Sequence, residues 1–191
     1  MKKVTLISIA ILLALAAPTA VRAKKLDTTY NVLLAGGAEE SRIQIWLSSD
    51  GRSYVIDSIV PLEVGGSVCE HPPDNPNELL CHAPMVASFE VNSGSGDDTV
   101  VVAKGVPVPV TMRGGSGNDT LVGGDGPDKL IGGTGDDRLS GRGGDDLIFG
   151  GDGADLIFGG AGKDILRGGL GEDRFAGDSG DDNVRQELVA L

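Results

Sequence analysis

Residues 114–122 read GGSGNDTLV, and residues 123–131 follow at once with GGDGPDKLI. Glycine loses more backbone freedom on folding than any other residue, and aspartate is depleted from β-strands. A chain that repeats both residue types in register therefore needs a further interaction that offsets their cost. The aspartate recurs at a fixed place in each block, which makes it the candidate for that interaction.

The nine-residue pattern continues without insertion to residue 185 and gives eight contiguous blocks. Columns one and four are always glycine, column two is glycine except at Arg142 and Asp178, and column eight is always apolar. A looser copy, SGSGDDTVV, occupies residues 93–101 and is separated from the array by VAKGVPVPVTMR, which we expect to be a proline-bearing strand. Column six is aspartate throughout, at Asp98 in the looser copy and at Asp119, Asp128, Asp137, Asp146, Asp155, Asp164, Asp173 and Asp182 in the array.

Each block predicts a turn followed by a strand of three residues. Glycine allows positive φ angles and lets the backbone approach a neighbouring turn or an ion closely. Side chains alternate along a strand, so column eight faces one way and columns seven and nine face the other. Column eight is therefore the predicted buried row. Phe149 and Phe158 fall on outward faces, where we expect them either to cover the sheet and touch a front strand or to mark a partner surface.

Two blocks make one flattened coil, so alternate blocks are expected to stack at the spacing of paired strands, about 4.8 Å. This stacking divides the aspartates between two edges: edge one carries Asp119, Asp137, Asp155 and Asp173, and edge two carries Asp128, Asp146, Asp164 and Asp182. Two carboxylates at that spacing repel by roughly 3 kcal/mol at an intermediate effective dielectric. The array without cations is therefore not expected to fold at neutral pH.

A divalent cation in each gap between stacked aspartates reverses that repulsion. Calcium accepts about six to eight oxygen ligands with tolerant geometry, whereas magnesium demands a smaller and stricter octahedron. Carboxylates from two turns and glycine-rich backbone carbonyls suit calcium, and about six such gaps are expected from two blocks per coil. The alternative is a disordered, solvated linker, but a linker does not require eight blocks in one register.

The block GGxGxDxUx resembles the nonapeptide of RTX (hemolysin-type) calcium-binding proteins, and the chain is similar to their small secreted bacterial type. The resemblance is close over residues 114–185 and looser over residues 93–101. It implies an all-β, right-handed parallel β-roll, a β-helix solenoid, with calcium held between stacked turns. The column-six aspartates, Asp98 included, and the turn carbonyls would be its ligands. Arg142 and Asp178 depart from the pattern, and we expect weaker binding at their turns and half a site at most in the last block.

The region before the repeats, residues 24–92, reads as short strands and turns, with a tight-turn signal at residues 49–52, SDGR. Residues 67–84 are expected to be a loop closed by the cysteine pair, after which VASFEV returns to a strand. This region also resembles the front section of small secreted RTX proteins. The resemblance implies that its strands cap the end of the solenoid.

The only two cysteines, Cys69 and Cys81, have eleven residues between them. Thiols oxidise in exported proteins, so the pair predicts a disulfide. The alternative is a zinc site made by both cysteines with His71 and His82, although the spacing matches no familiar zinc finger.

The N-terminal residues 1–23 combine two lysines, a short apolar run and small residues, the pattern of a secretory signal cleaved after Ala23. The apolar run, residues 4–17, is shorter than the roughly 20 residues of a spanning helix. We therefore expect a secreted, extracellular protein with no membrane segment in its mature form, the periplasm being the alternative. Residues 186–191 are a short tail.

The formal net charge of -12 argues against nucleic acids and anionic membranes as partners and points toward cations. The chain lacks HExxH and GxSxG, and its two histidines lie in the cysteine segment. An active site needs a constellation of groups that is missing here. The sequence therefore predicts a non-catalytic calcium-binding module. The alternatives are a calcium-dependent adhesion or self-assembly protein and, less favoured, an accessory of a secreted hydrolase.

Overall fold

The structure, a computed structural model, describes residues 20–26, 29–36, 40–58, 69–75, 77–176 and 182–185. Most of the predicted signal segment and the short tail lie outside these residues. The described part is all-β apart from one 3-10 turn, Ala83–Met85. Within it no helix has the length and apolar character needed to cross a membrane.

Two sheets make up the fold. Sheet A contains, in spatial order, β1 (Ala20–Leu26), β2 (Thr29–Ala35), β7 (Val86–Ser95), β9 (Val110–Ser116), β11 (Lys129–Thr134), β13 (Leu147–Asp152), β15 (Ile165–Leu170) and β17 (Asn183–Arg185). Sheet B contains β16 (Arg174–Ala176), β14 (Leu156–Ala161), β12 (Arg138–Gly143), β10 (Thr120–Val122), β8 (Thr99–Val102), β3 (Arg42–Leu47), β4 (Ser53–Ser58), β6 (Glu78–His82) and β5 (Cys69–Glu70). From β7 onward the chain alternates between the sheets and makes five turns of a solenoid.

The strands of the solenoid are parallel and pair with the strand two blocks away. Leu121 lies opposite Leu139 in sheet B, and Leu130 lies opposite Ile148 in sheet A. The predicted stacking of alternate blocks, and with it the β-roll, is confirmed. Most array strands are six residues long, as in Lys129–Thr134, because pairing continues into the first columns of the next block.

In the array, the core between the two sheets receives one apolar side chain from each block, that of column eight. Column eight is at most 1% exposed at Leu121, Leu130, Leu139, Ile148, Ile157 and Leu166, which confirms the predicted buried row for these blocks. The prediction is wrong for the last two blocks, since Phe175 is half-buried and Val184 is 46% exposed. In the described residues no further coil covers that end of the stack.

The front strands belong to the same two sheets. β2 and β7 are parallel neighbours in sheet A, and β3 pairs in parallel with β8 in sheet B. Antiparallel strands extend both sheets at this end: β1 beside β2, and β4, β6 and β5 beyond β3. The predicted turn between β3 and β4 is present, with Gly51 at a φ of 68°. The front section therefore covers the N-terminal end of the roll.

Three segments differ from the sequence expectations or bear on them. Residues 67–84 are not a simple loop, because β5 and β6 form an antiparallel pair within them. The proline-bearing stretch is a loop from Ala103 to Pro109, and its strand begins only at Val110, since proline has no N–H for sheet pairing. β1 begins at Ala20, upstream of the predicted cleavage after Ala23, and the cleavage stays a prediction.

Candidate metal sites between stacked turns

The column-six residues form one hydrogen-bonded ladder along each edge of the roll. In every step the backbone N–H of one residue donates to Oδ1 of the column-six aspartate in the next coil, with N to Oδ1 distances of 2.5 to 3.1 Å. Along edge one the ladder runs through Ser41, Asp98, Asp119, Asp137, Asp155 and Asp173. Along edge two it runs through Val110, Asp128, Asp146, Asp164 and Asp182. The structure thus brings the predicted aspartates together on the two predicted edges.

The second carboxylate oxygen, Oδ2, points into a small space above the column-one glycine. A side-chain carbon added at Gly114 would collide with Oδ2 of Asp119 and would lie 2.7 Å from the carbonyl oxygen of Gly132 in the next coil. The same convergence of a carboxylate and a carbonyl oxygen recurs at Gly123, Gly132, Gly141 and Gly150. Only glycine leaves this space open.

Most of these Oδ2 atoms have no hydrogen-bond donor. Among the described residues, Oδ2 is buried without a hydrogen-bond partner at Asp98, Asp119, Asp137, Asp146, Asp155 and Asp173. A buried acceptor without a donor costs free energy, and more so when it carries charge. A cation or a proton at each of these oxygens would offset that cost.

Burial is the main cause of the raised pKa values of these carboxyls. It raises the pKa of Asp137 to about 7 and that of Asp146 to about 8. The pKa values of Asp119, Asp128 and Asp155 rise to about 6, also mainly through burial. Backbone hydrogen bonds oppose the rise, and repulsion from neighbouring aspartates adds to it. The mutual repulsion expected from the sequence is therefore present but secondary to the loss of solvent.

The oxygen set fits a hard divalent cation. The turns also carry backbone carbonyl oxygens in columns two and four, in addition to Oδ2 and the column-one carbonyl. The carbonyl oxygen of Gly115 faces Gly133 in the next coil, and that of Gly117 faces Gly135. In the part of the chain that the structure describes, no three His, Cys, Asp or Glu side chains cluster around one point. A cation here would take backbone carbonyls together with carboxylates, an all-oxygen environment that suits calcium.

A second ladder, in column five, was missed by the sequence analysis. Oδ1 of Asp97 accepts the N–H of Asn118 (2.7 Å), and Oδ1 of Asn118 accepts the N–H of Asp136 (2.8 Å). Asp136 and Asp145 make the same bond to Ala154 and to Lys163. These side chains point toward the following coil, whereas column six points toward the preceding one. Asp or Asn in column five of several blocks was the available signal.

An additional degenerate block also escaped the sequence analysis. Residues 36–44 read GGAEESRIQ, and Ser41 takes the column-six place, with its N–H donating to Asp98 (2.5 Å). Ile43 takes the column-eight place opposite Val100. Two glycines followed by an apolar residue at column eight were the only trace of the pattern, because the aspartate is missing.

The turn that contains Asp128 differs from the regular turns. Its Oδ2 accepts the N–H of Gly124 (2.7 Å) and is therefore satisfied. Gly124 and Gly126 lack the positive φ angles of the equivalent Gly133 and Gly135. Of the two residues that replace the column-two glycine, Arg142 is described below, and Asp178 lies outside the described residues.

The remaining candidates are also placed. Cys69 and Cys81 form a disulfide, so their sulfur atoms are not available for the alternative zinc site. Phe149 is half-buried on sheet A with Lys129 and Arg167 over its ring, at 6.0 and 5.5 Å from the centroid. On sheet B the guanidinium of Arg138 lies 4.7 Å from the ring centroid of Phe158. Cations of the array therefore lie over both rings, and a contact of either ring with a front strand or a partner stays a prediction.

Comparison with known proteins agrees with this geometry. Residues 113–148 and 149–184 each match the family model of the RTX calcium-binding nonapeptide repeat, a model of four copies. No curated protein and no solved structure gave a significant match. RTX nonapeptide repeats bind calcium, and the chain therefore contains RTX calcium-binding repeats, folded as a β-roll, over residues 113–184.

Proposed function

We propose that the protein is a secreted, non-catalytic module whose array folds when calcium binds between its stacked turns. The observation that carries this proposal is the convergence of buried Oδ2 atoms without donors and next-coil carbonyl oxygens. The residues proposed as ligands are Asp98, Asp119, Asp128, Asp137, Asp146, Asp155, Asp164, Asp173 and Asp182. Asp128 is the weakest of them, because its Oδ2 already has a donor.

Export is the second part of the proposal. The signal-like N-terminus supports it, as does the presence of repeats that are typical of extracellular bacterial proteins. Extracellular calcium modules commonly have dissociation constants of about 10⁻⁴ to 10⁻³ M. With that affinity the array stays unfolded at the low calcium of the cytoplasm and folds outside, where the module acts as a structural or interaction element.

Two matched variants test the calcium sites. Asp137→Asn keeps the Oδ1 acceptor for the N–H of Asp119 but replaces Oδ2 with an amide donor. Asp136→Asn is the control, because its column already contains Asn118 in the same ladder. In a calcium titration followed by circular dichroism and calorimetry, we expect Asp137→Asn to raise the calcium midpoint about tenfold, roughly 1.4 kcal/mol, and Asp136→Asn to change it less than about twofold. Equal midpoints for both variants would contradict the proposal.

Self-assembly with a second copy is the other candidate, and the C-terminal end of the roll favours it. Ile165, Leu170 and Val184 are 42%, 47% and 46% exposed, and all lie in the last coils. β16 and β17 end the two sheets in the described residues, and an open strand edge is a template for pairing with another chain. Light scattering with and without calcium tests this candidate. A mass that doubles with calcium, and returns to the monomer value in Val184→Glu, supports it, and an unchanged monomer mass rejects it.

A further inference from the structure

Arg142 adopts a backbone conformation that its block assigns to glycine. Its φ is 75°, and it is the only non-glycine residue with a positive φ in the part of the chain that the structure describes. It occupies column two of the fourth block, where most blocks have glycine. Residues other than glycine rarely adopt this backbone conformation because it costs free energy. An arginine at this position therefore calls for a compensating interaction.

The compensating interaction lies on edge two. Nη1 of Arg142 donates to the carbonyl oxygen of Val102 and to that of Gly123, the latter at 3.2 Å. Val102 and Gly123 occupy the column-one place in two successive coils, because β8 and β10 pair with Val101 opposite Val122. The guanidinium thus reaches from Arg142, near the end of β12, back across two coils.

Column-one carbonyls are the ones that converge with carboxylates elsewhere in the roll. Oδ2 of Asp146 points into the space above Gly141. A side-chain carbon added at Gly141 would lie 2.6 Å from the carbonyl oxygen of Gly159 in the next coil. The carboxylate that would converge with the carbonyl oxygen of Gly123 in the same way is missing, because Val110 stands in the column-six place of the preceding coil. Both carboxylate oxygens of Asp128 are also engaged, by the N–H groups of Val110 and Gly124.

We propose that the guanidinium of Arg142 is a built-in cation that takes, at the first turn of edge two, the place that calcium takes further along the roll. The proposal rests on the calcium sites proposed above. Its consequence is that the coils from β8 to β12 are held together on edge two without calcium. The arginine that breaks the repeat therefore joins β8, which pairs with β3 of the front section, to the calcium-dependent part of the array.

Two neutral variants separate the charge from the backbone conformation. Arg142→Gly removes the guanidinium and relieves the positive φ, whereas Arg142→Met removes the guanidinium and keeps the positive φ. Hydrogen exchange of the full chain in excess chelator reports on the amides of residues 120–126, among which Asp125 donates to the carbonyl of Val106. We expect both variants to lose about tenfold in protection there relative to the parent protein. Both should also need about threefold more calcium to fold.

A different effect of the two variants on hydrogen-exchange protection would contradict the proposal. If Arg142→Gly gains protection while Arg142→Met stays at the level of the parent protein, only the backbone conformation matters and the proposal is wrong. The measurement in chelator does not depend on calcium binding. A parent protein that takes up no calcium in calorimetry would overturn the proposed function, whereas unchanged protection in both variants would overturn the role of Arg142.

Discussion

The front section and the array share two continuous sheets, but different residues fill the space between them. In the front section the core contains large side chains from several strands, among them Tyr54 and Phe89, whose rings meet edge to face at 5.2 Å. The disulfide joins β5 to β6 in the same region. In the array the core has one apolar residue per block, and buried carboxylates line both edges. The front section is thus stabilised by apolar burial, and the array depends on what neutralises its edges.

Removal of calcium is the largest expected effect and the most direct way to break this comparison. In excess chelator at neutral pH we expect amides in residues 147–176 to exchange at rates close to those of an unfolded chain. Amides of β3, β4 and β7 should remain protected, because apolar burial does not depend on metal. Hydrogen exchange with mass spectrometry measures both regions in one experiment. Retention of an ordered array after thorough chelation would show that its edges do not need a cation.

Acidification in chelator sharpens the comparison. The folded pKa values of Asp137 and Asp146, about 7 and about 8, lie above the value of about 3.9 for an unfolded aspartate. The folded array therefore binds more protons than the unfolded chain. The contribution of these carboxyls to its stability without calcium is fully present below about pH 4 and is lost as pH rises through about 6 to 8. We expect the β signal in circular dichroism to increase when chelated protein is taken from about pH 8 to about pH 5. A decrease over that range would contradict the assignment of buried carboxyls as the source of instability.

The same substitution in each region gives a third measurement. Ile56 in β4 and Ile157 in β14 are both 0% exposed, and each change to alanine should cost about 2 to 5 kcal/mol in saturating calcium. In chelator the Ile56→Ala loss should persist, whereas Ile157→Ala should have no effect because its surroundings are already unfolded. Denaturant unfolding with and without calcium measures both. A loss for Ile157→Ala that is equal in the two conditions would remove the distinction between the regions.

The repeat could be predicted from the sequence because each block repeats the same local requirements. The nine-residue period and the residue types alone predict the burial of column eight and the stacking of the column-six aspartates. The pairing of Leu130 with Ile148 follows from two blocks per coil. The exposure of Val184 could not be predicted in this way, since it depends on whether another coil follows. The pattern fixes the interior of a stack but not its ends.

Features that replace the repeat were not predictable for a different reason. Ser41 takes a column-six place without a carboxylate, and only its pairing with Asp98 reveals its role. Weaker calcium binding at the turn of Arg142 stays a prediction, but the partners of its side chain lie in other coils and could not be predicted from the block itself. The sequence also did not predict that burial raises the carboxyl pKa values more than repulsion does. The size of the burial effect depends on how completely the turns close over Oδ2.

The smallest expected effect concerns the outward faces of the array. The guanidinium of Arg138 over the ring of Phe158 should contribute about 0.5 to 1 kcal/mol, as a cation near an aromatic face does at a partly exposed site. Arg138→Gln should lower the free energy of unfolding by that amount in saturating calcium, and the effect should vanish in a Phe158→Leu background. Arg174→Gln is the control on the same sheet, because Arg174 lies over no ring in the described residues. If Arg138→Gln costs as much with leucine at position 158 as with phenylalanine, the arginine acts through its methylene groups and not through the ring.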